Sequence, residues 1–129
     1  MLLEYFDDPS LAYPVLLLWG DNPAEAAVLR QAANGLATGR TRDDIQVDGL
    51  PGFRGVDGCS LVAQVGESSL GIEPIAESAQ SFRCVLSPAD WQRVSDLLEP
   101  FATTYGTNRF QYLSEQGGIE WIISADRGW

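Results

Sequence analysis

A chain of 129 residues, 45% hydrophobic and 10% aromatic, has the apolar content for one ordinary core and too much of it for a disordered chain. Eighteen acids against eight bases leave a formal charge of −10, and every base is an arginine. With neither lysine nor histidine, Ser-His-Asp and Cys-His nucleophiles, Schiff-base and P-loop lysines and His-ligated zinc are excluded, and two cysteines cannot build a four-sulfur metal site.

The same charge argues against nucleic acid, whose binding rests on Lys and Arg neutralising phosphates, and against anionic membrane surfaces. It favours a basic protein partner, drawn in by steering that salt weakens. The opening MLLEYFDDP has no basic n-region, and the longest apolar run, Val15 to Trp19, is too short for a bilayer. A cytoplasmic location is expected. Cys59 and Cys84 fall in strand-like stretches as buried thiols, and a reducing compartment argues against a bridge between them.

In chain order, YPVLLLW (13–19) is apolar on both faces and predicts a central strand covered on each side. GDNPAE follows, in which Asn22 caps a helix, Pro23 opens it and Glu25 completes a capping-box pair. Val28, Leu29, Ala32 and Leu36 form the apolar stripe of that helix, which stops by Gly39. Ile45 and Val47 alternate with polar residues, and Cys59, Leu61, Ala63 and Val65 share one strand face. LGIEPIA (70–76) is held to an edge or a bend by Pro74.

Phe82 to Leu86 is the next strand and runs into SPAD, where Ser87 caps, Pro88 opens a helix and Asp90 sits in the favourable first turn. Trp91, Val94, Leu98 and Phe101 are its buried stripe, with Pro100 expected to kink or end it. RFQYL and IEWIIS form a hairpin across SEQGG, with Ile119, Trp121 and Ile123 on one face. Both halves therefore read strand, capped helix, strand, strand. That is either a βαββ duplication or the same capping chemistry used twice. The expected fold is one α+β domain over residues 1–129, a largely antiparallel sheet of about five to seven strands with two helices.

The unusual stretch is DDIQVDGLPGFRGVDG, residues 43–58, with four aspartates, four glycines and one proline. Its acids miss the alternate-position spacing and terminal glutamate of a calcium loop, so no metal is assigned to it, and no cofactor is expected anywhere. Asp48-Gly49 and Asp57-Gly58 are turn signals around Phe53 and Arg54. Either Phe53 folds back onto the core and the acids are solvated, or the stretch is a recognition loop of one aromatic and one arginine among acids. Trp129, in the terminal ADRGW, is either a latch for the tail or a further anchor.

The functional expectation is a non-catalytic binding protein for a basic partner, with Asp43, Asp44, Asp48, Phe53, Arg54, Asp57 and Trp129 as partner-binding residues. In type it is similar to bacterial immunity proteins, which mask a cognate toxin, although no motif places it in a named family. The alternative is a small-ligand-binding or regulatory domain, arranged as a homodimer. A carboxylate-pair enzyme or one using Cys59 is a third class.

Overall fold

The computed structural model describes residues 1–75, 80–105 and 109–128. Nine strands and two helices follow one another as β1 (Leu2–Phe6), β2 (Val15–Trp19), α1 (Pro23–Thr38), β3 (Ile45–Gln46), β4 (Arg54–Gly55), β5 (Ser60–Val65), β6 (Gly71–Pro74), β7 (Ser81–Leu86), α2 (Pro88–Thr103), β8 (Phe110–Ser114) and β9 (Glu120–Ser124). The class is α+β, as the sequence implies. The strands divide into two mixed sheets, ordered β4-β1-β2-β9-β8 and β3-β5-β7-β6, where a single, largely antiparallel sheet was expected.

Each half of the chain is a hairpin, a helix and a second hairpin: β1-β2, α1, β3-β5, then β6-β7, α2, β8-β9. The halves exchange their last strands. β2 pairs in parallel with β9, and β7 pairs in parallel with β5. Each sheet is thus completed by the other half, so neither half can form its sheet alone. The repeated plan read from NPAE and SPAD is present in the topology, each copy preceded by one more strand: the unexpected β1 and the edge strand β6 within LGIEPIA.

Local chemistry explains both helices. The Asn22 side chain accepts from the Glu25 N–H and that of Ser87 from the Asp90 N–H, with a proline at each helix start. The Glu25 carboxylate, expected to close a capping box, instead meets the Met1 ammonium, which also donates to Gly52 O at 2.8 Å. α1 stops at Gly39, whose φ of 78° puts it in the left-handed region open to glycine. α2 does not end at Pro100 but continues to Thr103. A proline this near the end forfeits little of the hydrogen-bond ladder, and the Arg109 guanidinium donates to the Pro100 and Thr104 carbonyls.

One core draws on the inner faces of both sheets and on both helices. Trp91 and Trp121 are buried in it and meet edge to face, ring centroids 6.2 Å apart, and Tyr5 of β1 touches Phe82 of β7 across the two sheets. The buried stripe of α1 is Ala26, Leu29, Ala33 and Leu36, so Val28 and Ala32, expected inside, are half-buried at its edge. LGIEPIA is an edge strand that ends at Pro74, as its proline requires. No helix among the described residues is long and apolar enough to cross a membrane.

Candidate partner-binding face

Residues 43–58 are a stitch between the sheets. The chain leaves β3 in the second sheet, makes a 3₁₀ turn at Val47–Gly49 and crosses to pair β4 in parallel with β1 of the first sheet. A second 3₁₀ turn, Val56–Gly58, returns it to β5. The equivalent link in the second half, between β8 and β9, is a single 3₁₀ turn at Gln116–Gly118. At Gly55 a Cβ would stand 1.8 Å from Cys59 O, so only glycine permits the return turn.

The expected recognition residues divide accordingly. Phe53 points inward and is 8% exposed, so it is a core residue and not a surface anchor; pairing of β4 with β1 fixes that direction. Asp48 Oδ1 accepts from the Leu61 N–H at 3.0 Å and from Gln46 Nε2 at 2.7 Å, tying the first turn to β5. Asp44 Oδ2 accepts from Gln64 Nε2 at 2.9 Å. Asp43 and Asp57 are exposed, Asp57 with φ 53° in a turn conformation that aspartate tolerates. Arg54 is exposed and, paired with Leu2, projects from the outer side of the first sheet. Trp129 lies outside the described residues.

The outer face of the first sheet, to which Arg54 belongs, carries an aromatic surface that the sequence did not locate. Strand register places Leu2, Glu4 and Phe6 of β1, Val15, Leu17 and Trp19 of β2, Glu120, Ile122 and Ser124 of β9, and Phe110 and Tyr112 of β8 on that one side. Val15, Leu17 and Ile122 are buried beneath half-buried Phe6, Leu11, Trp19 and Tyr112. Both helices put their apolar stripes into the other core, and no helix residue belongs to this cluster. Phe110, its ring edge against Tyr112, is 50% exposed, and Tyr13 just before β2 is 56% exposed. The sequence signal was the run Val15 to Trp19, apolar on both faces in a chain with helices enough to cover one.

The second sheet is an internal control. Its outer side carries Gln46, Ser60, Val62, Gln64, Glu73, Ser81, Arg83 and Val85, with Arg83 Nε 3.3 Å from Glu73 across the strands. β4 aside, the two sheets share one topology and yet present opposite outer faces. One is polar and suited to water, the other aromatic and suited to burial.

Acids cluster at one end of the aromatic face, Asp7, Asp8 and Glu120, whereas at the other Asp126 shares the end with Arg54. Asp8 accepts from the Ser10 N–H at 2.9 Å, which holds its carboxyl below the usual range and fixes the loop before Leu11. On the face itself Glu4 accepts from Arg127 Nε and Nη2 at 3.0 and 2.9 Å and from Trp19 Nε1 at 3.2 Å. The Arg127 bond, chiefly, lowers the Glu4 carboxyl against the opposing effect of burial.

Other chemistry is sparse. Cys59 and Cys84 are free and buried, and burial pushes their thiols up, that of Cys59 to about 12. Among the described residues no group of three His, Cys, Asp or Glu is arranged to hold a metal. One open recess of about 410 Å³ runs along α1 beside Arg40, Ile45 and Leu50. Another, of about 250 Å³, lies between α2 and β8, where buried Ser114 Oγ has no partner among the described residues. No protein-family model matches the chain, and neither a curated protein nor a solved structure does.

Proposed function

We propose that the chain is a non-catalytic acidic binding protein that neutralises a basic protein partner, of the general type of a bacterial toxin-immunity protein, and that it takes that partner on the outer face of the first sheet. The observation that carries this reading is the contrast between the two outer faces. Equivalent positions hold Val15, Leu17 and Trp19 in one sheet and Ser81, Arg83 and Val85 in the other. Half-exposed aromatics flanked by charged residues supply an apolar centre and a charged rim, the division of labour seen in protein interfaces. The acids Asp7, Asp8 and Glu120 at one end of the face favour a cationic surface there.

The test is parallel capture from the native host's lysate with three baits: the unmodified chain, a Tyr13→Ser/Phe110→Ser variant, and a Val62→Ser/Val85→Ser variant of the other face. A single basic protein, held at about 50 mM salt by the first and third baits, lost from the second and weakened at about 500 mM, is the expected result. Equal retention by all three baits contradicts the assignment of the face.

A further inference from the structure

Glu4 and Phe6 of β1 hold one of the chain's own cations, Arg127. Arg127, on the segment that follows β9, donates through Nε and Nη2 to the two Glu4 oxygens, and its Cζ stands 5.3 Å from the centroid of the Phe6 ring. The Trp19 indole N–H donates to Glu4 Oε1, the same oxygen that accepts from Arg127 Nε. The two partners are unequally placed: the Glu4 side chain is 14% exposed, that of Arg127 59%. The acceptor is built into the sheet, whereas the donor is laid over it from solvent.

We propose that this is a guanidinium site, occupied in the isolated chain by Arg127 and in the complex by an arginine of the basic partner. The inference rests on the reading of the outer face as the docking surface. Exchange of one guanidinium for another never leaves the Glu4 carboxylate unpaired, so the usual penalty for opening a half-buried ion pair is avoided. A two-pronged bond to the carboxylate together with stacking on a ring selects arginine over lysine, whose ammonium is a point charge with no planar face. Arg127 then acts as a strap: it lowers the partner's apparent affinity by the fraction of time it is closed, and its release frees the segment after β9.

The probe is N-acetylarginine amide, with N-acetyllysine amide as its control, titrated into isotopically labelled protein while the Trp19 indole N–H resonance is followed. Arg127→Ala should show a saturable, arginine-selective shift. The unmodified chain should bind roughly three- to tenfold more weakly, because the strap competes. Adding Glu4→Gln to Arg127→Ala should abolish the shift. Should Arg127→Ala fold poorly, the unmodified chain decides, with arginine amide required to move the resonance and lysine amide to leave it. An absence of arginine selectivity, or a shift indifferent to Glu4→Gln, overturns the proposal and makes Arg127 a latch for the tail. Partner capture unchanged in Glu4→Gln but lost in Tyr13→Ser/Phe110→Ser sinks the guanidinium site while leaving the docking face standing.

Discussion

Replacing Phe53 by alanine separates a structural stitch from a recognition loop. Phe53 is 8% exposed and packs into the main core, so its removal deletes a buried aromatic ring and leaves a cavity. Substitutions of this kind cost about 3–5 kcal/mol. Its neighbour Arg54 and nearby Asp43 are exposed, and their alanine variants should stay within about 0.5 kcal/mol of the parent. Gly55→Ala drives a Cβ to 1.8 Å from Cys59 O and should cost about 1–3 kcal/mol as the return turn shifts. Gly58→Ala, with φ 77° but nothing within 4 Å of its Cβ, should cost only about 1 kcal/mol. Urea unfolding followed by tryptophan fluorescence measures all five. With a slope of about 1–3 kcal/mol per molar for a small domain, Phe53→Ala should lower the midpoint by about 1 M or more. A Phe53→Ala midpoint within error of the parent would refute the burial of this segment and restore it as a free loop.

Asp48→Ala orphans the Leu61 N–H and releases Gln46, and should cost about 1–2 kcal/mol by the same urea assay. The Glu4 carboxyl is lowered in the folded state, so its contribution is present at neutral pH and is lost as pH falls from about 4 through that lowered value. Thermal melts across that window should therefore fall less steeply for Arg127→Ala than for the parent. Both thiols are buried and shifted upward, so a thiol reagent at about pH 8 should leave Cys59 and Cys84 unlabelled in the native protein and label both in urea. Rapid labelling of the native chain would contradict that burial.

The parts of the fold that were legible are those set by near neighbours. Asn22-Pro23 and Ser87-Pro88 announce their helices because capping is decided within four residues. Trp91 and Trp121 read as core because their strand and helix keep a clean period. The α1 stripe was read partly out of phase because an alanine-rich helix offers several faces of similar hydrophobicity, and only tertiary packing selects Ala33 over Ala32. β1 was missed, since LLEYF is short, has no apolar–polar alternation, and takes its two faces from register with β2. The exchange of β5 and β9 between halves is a long-range pairing with no local signature. Phe53 was ambiguous for the same reason: its inward direction follows from two residues of β4 pairing with β1, some fifty positions earlier in the chain. The aromatic face needed the register of four strands before Phe6, Trp19, Phe110 and Tyr112 could be seen as neighbours.

Hydroxyl-radical footprinting of the captured complex would locate the docking face, because aromatic side chains report their own exposure. Oxidation of Tyr13, Trp19, Phe110 and Tyr112 should drop on complex formation, while Leu70, 52% exposed just before the edge strand β6 of the second sheet, should react as before. Protection confined to residues 43–58 or to the outer side of the second sheet, with Tyr13 and Phe110 unchanged, would contradict it.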